Sequence, residues 1–273
     1  LAIVIAEDRY AAEDALELIE VEIEPIDVLV DARQSRNSQQ VLVHEAAGTN
    51  VADALTASRG DVETALQNAP RRLSKSFATH RHTGVPMETR GLVAYIDPST
   101  DVLTVWGPTK VIHRTRATLA RLLKLPEDRV RCLEPDVGGA FGFRGEFFPE
   151  DFLIPWAVMQ LRRPIRWIED RQEHFLAMNH SRQQWHEVDV GFDEEGRILA
   201  FRDRAIIDMG AYVRPNGFVA PTHTVTGLSG PYRFPAFDIQ LECVLTNKTP
   251  HGSYRGPGQF ESSLDGLIGV GDP

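Results

Sequence analysis

Glycine, arginine and aromatic residues crowd three short stretches of this 273-residue chain, and each could do chemistry. The first is Gly138-Gly139-Ala140-Phe141-Gly142-Phe143-Arg144-Gly145-Glu146. Paired glycines let backbone N–H groups approach a ligand oxygen closely, and such a nest suits an anion. A tight turn leaving a strand is the plainer reading. The stretch lacks the GK[ST] of a Walker loop and the G-x-G-x-x-G of a dinucleotide fingerprint. The second is His251-Gly252-Ser253-Tyr254-Arg255-Gly256-Pro257-Gly258-Gln259-Phe260-Glu261. Here Arg255 offers a planar donor fork to a carboxylate or a developing oxyanion, a surface loop arginine being the alternative. The third, His82 to Gly91, is read as a strand entry holding a buried Glu88–Arg90 pair.

Nine histidines invite a search for metal ligands. His80 and His82 could share a strand face and His174 and His180 follow later, but none stands in H-E-x-x-H or another ligand spacing. They are read as structural or surface residues. G-x-S-x-G is absent, so nothing supports a serine hydrolase.

The elements that must position these stretches follow from periodicity. Residues 1–5 are apolar and β-prone, Ala11, Ala12, Ala15, Leu16 and Ile19 recur at helical spacing, and Val21, Ile23 and Val28–Val30 return to strand character. This predicts a strand–helix–strand unit too small to bury its own core. The polar stretch Ala32–Gln40 predicts a linker or exposed loop. Asp61 caps a short helix carrying Val62, Leu66 and Ala69, and Pro70 ends it. Strands are predicted at Val93–Ile96 and Val102–Trp106 around the turn DPSTD. A helix follows from Thr115 to Leu123, with Leu119, Leu122 and Leu123 on one face. A strand at Val130–Leu133 then runs into the first glycine stretch. Val188–Phe192 and Ile198–Ile207 flank DEEG as a hairpin. Strands and helices that do not strictly alternate indicate an α+β fold.

Composition narrows the class. A formal net charge of -10 disfavours nucleic acid and anionic membrane surfaces as partners. No apolar run approaches the roughly 20 residues of a membrane span. The two cysteines, Cys132 and Cys243, make no disulfide framework, and the opening LAIVIAEDRY has no basic n-region or cleavage site, so a cytoplasmic location is expected.

Taken in order, AEDRYAAEDALELIEVE, Met87-Glu88, PDVGGAFGFRGE, WIEDRQEHFLAMNHSR, DMGAY and TNKTPHGSYRGPGQFE resemble the molybdopterin-binding large subunit of the xanthine dehydrogenase, aldehyde oxidase and aerobic carbon monoxide dehydrogenase family. The resemblance runs from residue 1 to about Glu261. It implies that residues 1–31 are the C-terminal part of a small α/β hammerhead domain and residues 32–60 a linker. Residues 61–261 would then be an incomplete first of two elongated molybdenum-cofactor-binding domains, and 262–273 a tail outside the family pattern. It implies oxidative hydroxylation of an aldehyde or N-heterocycle with water as oxygen source. The molybdenum–pterin cofactor would be in its cytosine dinucleotide form. Electrons would leave to a 2Fe–2S small subunit and an FAD-binding medium subunit. Gly138, Gly139, Phe141 and Gly142 fall on the loop that covers the cofactor, with Phe141 also lining the substrate approach. Arg255 falls on the substrate-side arginine, in a catalytic role.

Three departures accompany the likeness. Lys110 stands where many members carry a glutamine near the metal, and is taken as a second catalytic cation. Glu146 stands one residue from the carboxylate that faces substrate in relatives resembling xanthine oxidase. Gly256 follows Arg255 where aerobic carbon monoxide dehydrogenases place a copper-binding cysteine, which argues against carbon monoxide as substrate. Family members continue through a second domain carrying most pterin contacts and the catalytic glutamate, whereas ESSLDGLIGVGDP does not follow that pattern. The chain is therefore expected to be a fragment, inactive in isolation. The alternative is a truncated, non-catalytic subunit that folds but binds no cofactor.

Overall fold

The computed structural model describes residues 2–230 and 232–268, the side chains of 264–268 excepted. It is an α+β fold built on two sheets. The larger has five strands in the order β1 (Val51–Arg59), β9 (Ala236–Leu245), β8 (Ile198–Gly210), β7 (Gln184–Phe192), β2 (Arg71–Thr79). The smaller has four, in the order β5 (Val130–Leu133), β4 (Leu103–Trp106), β3 (Gly91–Ile96), β6 (Ile165–Ile168).

Each sheet contains one parallel pair among antiparallel neighbours. In the small sheet β4 pairs with β5 in parallel. The crossover between them is the helix α4 (Ile112–Leu123), whose Leu119 and Ala120 pack into a core with Leu92, Leu103, Val130 and Val158. In the large sheet β8 pairs with β9 in parallel, joined through α7 (Val219–Gly227). Val225 of α7 lies over Phe201, Ile207, Ile239 and Leu241. A parallel pair needs such a crossover, and it leaves the two carboxyl ends on the same edge of the sheet.

Local chemistry fixes the remaining elements. Asp61 caps α3 (Val62–Asn68) by accepting from the Thr64 N–H at 3.1 Å. α5 (Pro149–Leu161) starts with proline at its first position, and the Asp151 carboxylate accepts from Phe148 N–H at 2.8 Å. α6 (Arg171–Ala177) has a reciprocal box, with Asp170 and Glu173 each accepting from the other's backbone at 2.7 Å. The hairpin between β7 and β8 forms around DEEG, with Gly196 at φ +82.

Four expectations are corrected. A helix α1 (Arg9–Glu17) forms as predicted, but residues 2–6 and 21–30 form no strand. Beyond the two hydrogen bonds of 2.8 Å that Leu29 exchanges with Asn247, no ladder pairs them among the described residues, and an extended run without a ladder is not a strand. Their apolar side chains, Ile3, Ile5, Val21, Ile23 and Val28 among them, are exposed. The stretch Ala32–Gln40 is not a free linker. It holds the short helix α2 (Ala32–Ser35), whose Ala32 and Ser35 are fully buried, and Ser35 Oγ donates to the Leu245 carbonyl at 2.6 Å. Within the predicted 32–60 linker, residues 51–59 form β1, paired along its length with β9. Finally α4 starts at Ile112, and Leu122 points to solvent while Leu119 faces the core. Of the 262–273 tail, residues to Ile268 continue α8 (Gln259–Ile268), and residues 269–273 lie outside the described residues.

Candidate functional site

The carboxyl ends of β4 and β5 release two loops side by side. Gly107 N–H donates to the Leu133 carbonyl at 3.1 Å, and Lys110 N–H donates to the Arg144 carbonyl at 2.8 Å. The loop after β9 closes onto the same place. Arg255 N–H donates to the Phe141 carbonyl at 2.8 Å, and the rings of Phe143 and Tyr254 stack with centroids 5.8 Å apart. Glycine is required at Gly142, which has φ +111 and where an added Cβ would lie 2.6 Å from the Ser253 carbonyl oxygen. The two glycine-rich stretches thus touch backbone to backbone. Phe141 sits at φ +49 and is 42% exposed, Arg255 is exposed next to it, and Lys110 is exposed beside Gly145. The structure therefore brings together Gly138, Gly139, Phe141, Gly142, Lys110 and Arg255 on adjoining loops.

Beneath this surface lies a charged interior. Arg144 is almost fully buried; its Nε donates to the Gly139 carbonyl at 2.8 Å and its Nη2 to Glu88 Oε2 at 2.9 Å. Glu88 Oε2 also accepts from Gly138 N–H at 2.8 Å. This N–H therefore faces a protein carboxylate, not an open nest. The expected Glu88–Arg90 pair does not form. Arg90 instead donates to Glu169 and, at 2.9 Å, to Glu150, with its guanidinium 4.0 Å from the Phe148 ring centroid. Glu169 also takes a hydrogen bond from His174 Nδ1 at 2.9 Å. Burial pushes the Glu169 carboxyl up, but the His174 and Arg90 hydrogen bonds outweigh it and hold the pKa at about 2.

Glu146 departs from its expected place. It is 3% exposed and turned inward, its Oε2 accepting from Asn216 N–H at 3.4 Å while Oε1 has no protein partner. Burial raises its pKa against the pull of Asn216. The 3₁₀ turn Phe143–Gly145 carries the chain under the loop, so Glu146 does not share the surface of Phe141. It lines a cavity of about 40 Å³ together with Arg90, Thr109, Cys132, Arg144 and Asp151. Burial lifts the Asp151 carboxyl to about 6.

Among the described residues no group of three or more His, Cys, Asp or Glu is arranged to hold a metal ion directly. Of the histidines singled out, His82 forms an isolated bridge with Ser181, His180 bridges to His251, and His174 is buried against Glu169. Backbone edges, an exposed ring and two cations can instead contact an oxygen-rich, anionic organic ligand. Two positions carried no separate signal in the sequence. Arg144 lay inside a quoted motif without a role, and Arg182, 74 residues from Gly256, donates to its carbonyl. Nothing in spacing could announce contacts over such separations.

A family model described as molybdopterin cofactor-binding domain matches residues 43–264. The chain is 40% identical over 261 residues to the 6-hydroxypseudooxynicotine dehydrogenase complex subunit gamma of Paenarthrobacter nicotinovorans, covering 96% of this chain and 32% of that protein. It is 37% identical to the nicotine 6-hydroxylase large subunit of the same organism, over 97% of this chain and 33% of that one. The structure of quinoline 2-oxidoreductase from Pseudomonas putida 86 superposes with a TM-score of 0.88 at 34% identity, over 93% of this chain and 32% of that one. The chain thus spans about a third of the length of the curated relatives it matches.

Proposed function

We propose, from the premise that this chain belongs to the molybdopterin cofactor-binding domain family, that it forms one wall of the cofactor site in the large subunit of a molybdenum hydroxylase acting on N-heteroaromatic compounds. The observation that carries this reading is the hydrogen bond between Phe141 carbonyl and Arg255 N–H at 2.8 Å, beside the loop of Lys110. It joins the stretch taken as cofactor-facing to the stretch taken as substrate-facing.

The residues present fit such a cofactor. Gly138, Gly139 and Gly142 put no side chain on the loop, and their missing Cβ positions are already filled by Glu88, Pro86 and Ser253. The loop's shape is therefore set by the protein, and a flat ligand can lie against it. Lys110 would hold the cofactor by charge-assisted hydrogen bonding to its oxygens, stronger than the amide of a glutamine. When bound, the molybdenum–pterin group supplies the two-electron oxidation, with water as the source of oxygen. The protein's part is positioning and electrostatics. The Phe141 ring borders the substrate approach and excludes water there. Arg255 donates hydrogen bonds to negative charge that develops on the substrate ring. Glu146, turned inward, acts on this site only from below.

Relatives named for nicotine and quinoline compounds support an N-heteroaromatic substrate over an aldehyde. Gly256 after Arg255 supports exclusion of carbon monoxide. Names such as subunit gamma and large subunit support assembly with partner subunits, which we take to be the FAD-binding and 2Fe–2S subunits, the cofactor being the cytosine dinucleotide form. Residues 1–31 are assigned to the end of a hammerhead domain, and the domain that bears the loops includes β1 from Val51 onward. The test is expression of the complete large subunit with its partners. We expect stoichiometric molybdenum and hydroxylation of a pyridine or quinoline ring, with oxygen drawn from labelled water. Turnover of carbon monoxide, or molybdenum-loaded enzyme inert to every N-heterocycle, would refute it.

A further inference from the structure

We propose that Arg182 is a positioning residue that fixes the attitude of Arg255. Arg182 lies between α6 and β7, is 4% exposed, and adopts φ +77, a conformation few non-glycine residues hold without compensating contacts. Its guanidinium meets three consecutive carbonyls of the loop after β9. Nη2 donates to Tyr254 at 3.5 Å and to Arg255, and Nη1 donates to Gly256 at 3.0 Å. Nη1 also pairs with the fully buried Glu261 at 3.0 Å, which neutralises the charge. The guanidinium carbon lies 4.8 Å from the Tyr254 ring centroid and 4.9 Å from that of Phe260.

The consequence falls on Arg255. Its carbonyl is tied to Arg182 and its N–H to the Phe141 carbonyl, so the backbone on both sides of its Cα is held. Only side-chain torsions remain free, and the exposed guanidinium swings from a fixed root beside Phe141. With that root fixed, only the side-chain torsions have to be ordered when the donor meets the substrate, and not the loop as well. Lysine cannot replace this clamp. One ammonium offers three donors on no plane, whereas the arginine fork serves several carbonyls and a carboxylate while lying against aromatic rings. Arg182 touches neither substrate nor cofactor, so its effect runs through Arg255.

This inference rests on the reading of Arg255 as the substrate-side donor, and a double-mutant cycle separates the two. In the complete large subunit, loaded with cofactor and assembled with its partners, kcat and KM for quinoline are measured for Arg182→Lys, Arg255→Ala and the pair. Arg255→Ala is expected to lower kcat roughly 10²–10³-fold. Arg182→Lys is expected to lower kcat roughly tenfold with KM and molybdenum content retained, and to add nothing in the Arg255→Ala background, as for residues acting as a unit. A purely structural role would make the two losses multiply. Glu261→Gln, which keeps the arginine and weakens only its anchor, gives the same test where Arg182→Lys does not fold. An unaltered Arg255→Ala overturns the reading of the site. A slow Arg255→Ala alongside a wild-type or multiplicative Arg182→Lys overturns the clamp alone.

Discussion

At the scale of single residues, the exposed cations and the glycines carry different burdens. Arg255→Ala in the complete enzyme should slow the chemical step by roughly 10²–10³, as losing an oxyanion donor does, while Lys110→Gln should leave assembly intact and shift the midpoint potential of the metal. Stopped-flow reduction and potentiometric titration measure these, and an unchanged potential in Lys110→Gln would remove that residue from the site. Gly142→Ala should destabilise the chain by about 1–3 kcal/mol in urea unfolding. It forces a side chain into φ +111 and against the Ser253 carbonyl, and so prises the two loops apart. Wild-type stability would mean that the loops are not locked there. Gly138–Gly142 and Arg255 stood out in the sequence because glycine and arginine carry their chemistry in their type, and the structure brings their loops together. The partners of Glu88 and Arg90 did not stand out, since each charged group pairs with one distant in sequence and not with its neighbour: Arg144 for Glu88, and Glu169 and Glu150 for Arg90. Glu146 is turned inward, an orientation that no spacing shows, because a single 3₁₀ turn decides whether a side chain faces in or out.

At the scale of elements, periodicity read β3, β4, β5, α3 and the hairpin well, because each has one buried face and a marked turn. It did not find α5, whose PEDFLIPWAVMQL is apolar around most of its circumference. Nor did it find β2, an edge strand in which only Leu73 and Phe77 lean inward beside Thr79. It overcalled strands at 1–5 and around Val21, Ile23 and Val28–Val30, where apolar residues exist but no ladder forms among the described residues. Glu169 shows how elements are tied beside the site: it follows β6, accepts from Arg90 at the entry to β3, and accepts from His174 on α6. Glu169→Gln should cost roughly 3–5 kcal/mol in urea unfolding at neutral pH, since it leaves Arg90 buried without its main partner. The pH dependence has a definite sign. A carboxyl held at about 2 when folded, against 4.5 ordinarily, contributes stability above pH 4.5 that is lost as pH falls toward 2. His251, pushed by burial to about 3 from 6.5, likewise favours the folded state above pH 6.5 and loses that contribution as pH falls toward 3. Asp151, lifted to about 6 from 3.8, works the other way and offsets His251 between pH 6 and 3.8, so stability should decline chiefly below pH 4.5, and Glu169→Gln should flatten that limb. An unchanged limb in the variant would contradict the assignment.

At the scale of the whole molecule, two parallel strand pairs, each with its crossover helix, send their loops to one place. That convergence was invisible in the sequence, which holds the loops more than 100 residues apart, and it is what turns three modest motifs into a surface. The central claim is that this surface faces the metal end of a molybdenum–pterin cofactor. Anomalous scattering collected at the molybdenum edge, on crystals of the cofactor-loaded complete large subunit, tests it most directly. The account predicts a single molybdenum peak beside the Gly138–Gly142 loop, on the side where Phe141, Lys110 and Arg255 are exposed. A peak on any other face of this domain, with those three side chains turned away from it, would contradict the account.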